Sequence, residues 1–81
     1  MKIDMKKIPT TPGVYKFFNN SEIIYIGKAK NLKKRVSTYF GNGQKDRKTH
    51  QIKKLTNQIE TFSTKNEVEA LLLEQMLIRE N

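Results

Sequence analysis

Two tyrosines, an arginine and a glutamate stand out for the chemistry that their types and spacing allow. Tyr15 closes the triplet Gly13-Val14-Tyr15 and Tyr25 opens its mirror image, Tyr25-Ile26-Gly27, so the two phenols lie ten residues apart. A glycine has no Cβ and lets a backbone or a ligand come close. A tyrosine pairs an apolar body with a polar tip. With Arg35 and Glu74 further along, the set suits a site that binds a metal and handles phosphate. Taken singly, an aromatic on a strand is core more often than catalytic. A phenol with a pKa of ~10 is also a poor base at neutral pH unless cations lower it. Lys28 and Arg35 are the cations expected to do so.

Glu74 has Ala70, Leu71, Leu77 and Ile78 one helical turn away on either side. None is basic, so the usual intrahelical ion pair is missing. A carboxylate in such surroundings needs a partner, a proton or a cation, because an unpaired buried charge is costly. An Arg or Lys from elsewhere is the commoner answer. A divalent metal is the other, and oxygen ligands suit Mg²⁺ or Mn²⁺. Glu67 and Glu69 are explained by capping and by the helix dipole. On a helix through Leu32, Val36 and Tyr39, Arg35 falls about 60° from Leu32, on the shoulder of the buried face. There it either snorkels over apolar surface or reaches into a cleft. Lys34 falls about 160° away, in solvent. His50, on a polar helix face, reads as solvated.

The elements that must position these groups are short and closely linked. Val14 to Phe18 alternates and Glu22 to Ile26 is β-branched, with turn residues Asn19-Asn20-Ser21 between them, which predicts a hairpin. Pro9 and Pro12 frame its entry. Asn31 caps a helix whose apolar face is Leu32, Val36, Tyr39 and Phe40, and Gly41-Asn42-Gly43 ends it. Asp46 caps a second helix with a thin stripe of Ile52, Leu55 and Ile59. Ile59 to Ser63 alternates as a third strand and overlaps that helix. Asn66 with Glu69 forms a capping box for a last helix, Glu67 to about Arg79. The fold class is α+β, a small antiparallel sheet flanked by helices.

At 81 residues the chain makes one small domain with a modest core. Without cysteine it has neither disulfides nor thiolate-bound zinc. No signal-peptide pattern or membrane span is visible, so a soluble, cytoplasmic domain is expected. Charge is uneven: residues 28–54 hold ten Lys and Arg against Asp46 alone, while residues 55–81 are net negative. Such a stripe is either an electrostatic footprint for a polyanion or a solubilising face. The last helical pattern ends without a C-cap glycine, as expected of a fragment of a longer protein.

In this order, Gly13-Val14-Tyr15, Tyr25-Ile26-Gly27, Arg35 and Glu74 resemble the motifs of the GIY-YIG nucleases. Ile8 to Tyr15, Tyr25 to Leu32, Arg35 to Phe40, Asp46 to Thr49 and Glu69 to Glu74 resemble its bacterial UvrC branch, the N-terminal nuclease domain of the excision-repair endonuclease. The likeness runs from Ile8 to Ile78, and five ordered blocks are specific where a lone Gly-x-Tyr is not. It implies a three-stranded antiparallel sheet flanked by helices, residues 1–81 forming a single domain at the N-terminal end of the parent. It also implies one divalent metal, Mg²⁺ or Mn²⁺, held by Glu74. Tyr15 would be general base or base relay, Tyr25 and Lys28 would place water and phosphate, Arg35 would stabilise the pentacovalent phosphate, and Tyr39 would orient the site. Lys28, Lys30, Lys33, Arg35, Arg47 and Lys48 would meet DNA.

The implied activity is metal-dependent hydrolysis of a DNA phosphodiester bond, the 3′ incision beside a lesion. The implied partners are damaged duplex DNA and, through the parent protein, UvrB after loading by UvrA; the domain itself is expected to be monomeric. The competing expectation is a basic DNA-binding module that keeps the fold but not the chemistry. A homing-type nuclease fits the Lys28–Leu32 block less well. Where the branch commonly carries Asn two residues after its metal glutamate, this sequence has Met76, which either costs the site an amide or faces the core.

Overall fold

The computed structural model describes residues 4–41, 43 and 46–80; Asn42 of the expected helix stop and Lys45 of the basic segment lie outside the described residues. After a short 3-10 turn, Met5–Lys7, the chain forms β1 (Gly13–Asn19), β2 (Glu22–Ala29), α1 (Leu32–Phe40), α2 (Arg47–Leu55), β3 (Gln58–Ser63) and α3 (Glu67–Glu80). The three strands make one antiparallel sheet in the order β2-β1-β3. No helix among the described residues is long and apolar enough to cross a membrane.

Asn20 and Ser21, at φ 50° and 74°, form the two-residue turn of the β1–β2 hairpin. Positive φ at both centres matches the twist of the flanking strands, and asparagine tolerates it well. Asn57 pins this tip: its Oδ1 accepts from the Asn20 N–H at 3.1 Å and its Nδ2 donates to Asn20 Oδ1 at 2.8 Å. β2 outruns the expected end at Ile26, because Gly27, Lys28 and Ala29 pair with Tyr15, Val14 and Gly13. A register shift lies between Phe17, opposite Tyr25, and Phe18, opposite Ile23, which leaves Ile24 as the extra residue of a bulge.

Alternation sorts the sheet into two faces. Tyr15 and Phe17 of β1 face the same way as their partners Tyr25 and Gly27, toward Leu32, Val36 and Tyr39 of α1 and Ile52 of α2. This is the main core, and Tyr15, Phe17, Leu32 and Val36 are fully enclosed in it. Val14 points the other way, and α3 packs along β1 and β2 with Ala70 buried. The expected N-caps hold: Asn31 accepts from the Lys34 N–H, Asp46 from Thr49 and Asn66 from Glu69. The capping box is shifted by one residue, since the Glu69 carboxylate accepts from the Lys65 N–H at 3.2 Å rather than from Asn66. The expected α2 stripe shrinks to Ile52, because Leu55 is 45% exposed and Ile59 belongs to β3.

Candidate active site

Three phenols meet on the α1 side of the sheet. The ring centroids of Tyr15, Tyr25 and Tyr39 form a near-equilateral triangle with edges of 6.1, 5.9 and 5.9 Å. β1 and β2 deliver the first two, and α1 the third. The Tyr15 hydroxyl donates to the Tyr39 hydroxyl at 3.4 Å. Gly27 allows this arrangement. A Cβ there would collide with the Tyr15 phenol, so the glycine of the second triplet clears space for the tyrosine of the first, not for a ligand. Gly13 plays a similar role against the Phe62 carbonyl and the Leu32 side chain.

Tyr15 and Tyr39 are buried, at 1% and 6% exposure, and only Tyr25 of the three is partly open. The Tyr15 hydroxyl is thus enclosed, and its hydrogen-bond partner is the Tyr39 hydroxyl. Arg35 lies one turn before Tyr39 with its guanidinium 5.5 Å from that ring centroid. Its pKa is raised chiefly by interaction with the Tyr15 hydroxyl, against a smaller opposing effect of burial. Arg35 thus lies against the Tyr39 ring and also lines a cleft at the end of β2.

The expected lowering of a phenol by cations is not found at Tyr25. Its pKa is raised, first by the hydrogen bond with Tyr39 and then by burial, and this outweighs the lowering by Lys48 and Arg35. Tyr39 is raised as well, first by burial and then by its bond with Tyr15. Of the two expected cations Arg35 acts on Tyr25 and Lys28 is not among the causes, while Lys48, from α2, joins in with its Nζ 5.1 Å from the Tyr25 ring centroid.

Two of the clefts among the described residues bear on this site, one through Arg35 and one through Tyr25. The first, of about 590 Å³, lies where the end of β2, α1 and the start of α3 converge; Lys28, Lys30, Lys34, Arg35, Thr38 and Glu67 line it. Lys30 there makes an ion pair with Glu67 at 3.7 Å between exposed side chains, a weak contact that phosphate can displace. Lys33 lies outside this cleft, and its N–H bonds the Pro9 carbonyl. Lys34, placed in open solvent by helical geometry alone, takes a wall of it. The second cleft, of about 580 Å³ between β2 and α2, has Tyr25 and Ile24 on one side and Arg47, Lys48, Ile52 and Leu55 on the other. His50 is exposed, as expected.

Glu74 is half-buried on α3, which runs from Glu67 beside Lys30 to Ile78 against Ile23–Ile26. Among the described residues its carboxylate makes no hydrogen bond or ion pair, so the ion pair favoured on general grounds is not seen there. The described residues contain no group of three His, Cys, Asp or Glu side chains that would cage a metal. One free carboxylate still fits Mg²⁺, which keeps much of its water and commonly takes only one or two protein carboxylates. Met76 is 56% exposed, so the option that it faces the core is excluded.

Residues 11–81 match the model of the UvrC-like GIY-YIG domain. The chain belongs to this family. The UvrABC system protein C of Methanococcus maripaludis is 50% identical over 78 residues, and that of Fusobacterium nucleatum 47% over 79. These matches cover 95% and 98% of this chain but only 15% and 13% of the relatives, so the chain spans a small part of their length. Among solved structures, the GIY-YIG N-terminal endonuclease domain of UvrC from Thermotoga maritima, bound to its catalytic magnesium, superposes with a TM-score of 0.82 at 38% identity. The match covers 99% of this chain and 92% of that one. Tyrosine-to-phenylalanine variants of the Thermotoga domain, each with the catalytic divalent cation, change three tyrosines set ten and fourteen residues apart; Tyr15, Tyr25 and Tyr39 have the same spacing. The α+β sheet expected of a UvrC-like GIY-YIG domain is the one observed.

Proposed function

We propose that this domain hydrolyses a phosphodiester bond of damaged duplex DNA with one divalent metal, Mg²⁺ or Mn²⁺, as the nuclease unit of a longer UvrC-type protein. Its product is the 3′ incision of UvrABC excision repair, made on a complex with UvrB that UvrA has loaded. The observation that carries this reading is Glu74, a half-buried carboxylate left unpaired on a strongly basic domain.

In this reading Glu74 holds the metal, which when bound supplies Lewis-acid stabilisation at the leaving oxygen. Arg35, with its guanidinium over the Tyr39 ring, sets its positive charge toward the phosphoryl oxygens that gain charge during displacement. Tyr25, the accessible phenol, stays protonated at neutral pH and orients the attacking water by hydrogen bonding. Tyr15 and Tyr39 anchor Tyr25 and Arg35 and form a hydroxyl chain for proton movement. Lys28, exposed at the end of β2, attracts the backbone phosphates with Lys30 and Lys34.

The test is 3′ incision of a lesion-bearing duplex by the parent protein with UvrA and UvrB. Glu74→Gln is expected to lower the rate about 10²–10³-fold while DNA binding in metal-free buffer is retained. Incision at the wild-type rate would refute the assignment.

A further inference from the structure

The second cleft is built differently from a phosphate track, and the nuclease reading gives it no task. Its floor is apolar, made by Ile24, Ile52 and Leu55, and its rim carries Arg47 and Lys48 with no acidic residue in the lining. Tyr25 is shared between this cleft and the tyrosine triangle. Along a regular strand Ile24 and Tyr25 would point to opposite faces. The bulge turns both toward the α2 side, where both pack against the main core. We infer that the cleft between β2 and α2 seats the base of an unpaired nucleotide in the DNA strand that is cut.

The chemistry of the walls selects that occupant. Apolar side chains and an aromatic ring beside a cationic rim are the means by which proteins hold single-stranded nucleic acid, the base on the apolar wall and the phosphates on the cations. The cleft adjoins Tyr25, so a strand whose phosphate lies at Arg35 passes it within the same few nucleotides. Lys48, seated over the Tyr25 ring, joins the rim to the catalytic phenol. A base inside a regular duplex is stacked and cannot enter, whereas one at a lesion, a nick or a bulge leaves the stack at least cost. The cleft therefore favours distorted over regular DNA without reading sequence.

This inference rests on the nuclease reading, and its test is metal-free binding, so the two can fail separately. Two duplexes of one sequence carry 2-aminopurine, paired in one and bulged in the other, and are titrated with the chain in EDTA. The wild-type chain is expected to bind the bulged duplex about tenfold more tightly and to change its fluorescence. Leu55→Ser, at an exposed position that leaves the fold intact by circular dichroism, is expected to abolish that preference while paired-duplex affinity stays the same. Lys48→Met is expected to weaken both duplexes alike. A wild-type chain that does not distinguish the duplexes overturns the inference, as does a preference that survives Leu55→Ser. If Leu55→Ser leaves DNA binding intact but slows incision in the complete UvrA–UvrB reaction, the cleft docks a protein and the nucleotide seat is wrong.

Discussion

The cleft that Arg35 lines and the cleft that Tyr25 lines with α2 are nearly equal in volume and opposite in chemistry. The one lined by Lys28, Lys30, Lys34 and Arg35 is polar and has the ion-paired Glu67 at its edge; the one lined by Ile24, Ile52 and Leu55 is apolar and cationic only at its rim. Both use β2, an edge strand whose outer side is open to helices. The difference comes from what each helix brings. α1 turns its polar flank toward the end of β2, so its cations line the polar cleft. α2 has a single buried residue, Ile52, and leaves Leu55 open beside it. One strand thus carries a place for charge and a place for an apolar group, with the phenols between them.

The sharpest way to break this division is to remove one cation from each cleft. Arg35→Ala is expected to lower incision about 10²–10³-fold, because in the proposed mechanism its charge acts on the reacting phosphate. Lys48→Met should act mainly on DNA affinity and spare turnover at saturating DNA. Equal losses of turnover would erase the distinction. Next in size is the packing of the triangle itself. Gly27→Ala forces a methyl into the Tyr15 phenol and should cost about 1–3 kcal/mol, read by urea denaturation. Gly43→Ala, where a Cβ meets nothing, should stay within about 0.5 kcal/mol. A mild Gly27→Ala would mean that the triangle is loosely held.

A smaller effect separates the lysines of the polar cleft. If the basic surface meets about four phosphates, log K for duplex DNA falls with log salt at a slope of about −3.6, and Lys34→Met should make it shallower by about 0.9. An unchanged slope would return Lys34 to open solvent. The smallest effect is on alkaline stability. Tyr25 and Tyr39 have folded pKa values above the ordinary phenol value, so the folded state holds those protons more tightly than the unfolded one. Their contribution is complete below about pH 10 and is lost as pH rises through the folded values. Tyr39→Phe should therefore flatten the alkaline fall in stability, and an unchanged fall would show that Tyr39 is not the titrating group.

How much of this was legible in the sequence depended on how local the signal was. Asn31, Asp46 and Asn66 declare their helices because capping involves only three or four neighbours. Glu74 was legible as a carboxylate without a helical partner, and the described residues supply none. The Arg35–Tyr39 contact followed from one turn of helix. What failed was non-local. Gly27 read as the end of a strand, since only its pairing with Tyr15 shows that β2 continues and that the missing Cβ serves that phenol. Lys34 looked free because the cleft it lines is completed by β2 and α3. Lys48 reaches Tyr25 across more than twenty residues of chain, and Ile24 enters the same cleft only because of a bulge. No period within α2 or β2 carries either fact.

The central claim is that Glu74 is left unpaired in order to hold the metal beside Arg35 and the phenols. A crystal structure of this domain soaked with Mn²⁺, with the ion located by anomalous scattering, tests it most directly. The predicted result is one ion on the Glu74 carboxylate, with Tyr25 and Arg35 facing the same water-filled space, and no ion there in Glu74→Gln. An ion bound elsewhere, or retained at that place in Glu74→Gln, would contradict the account.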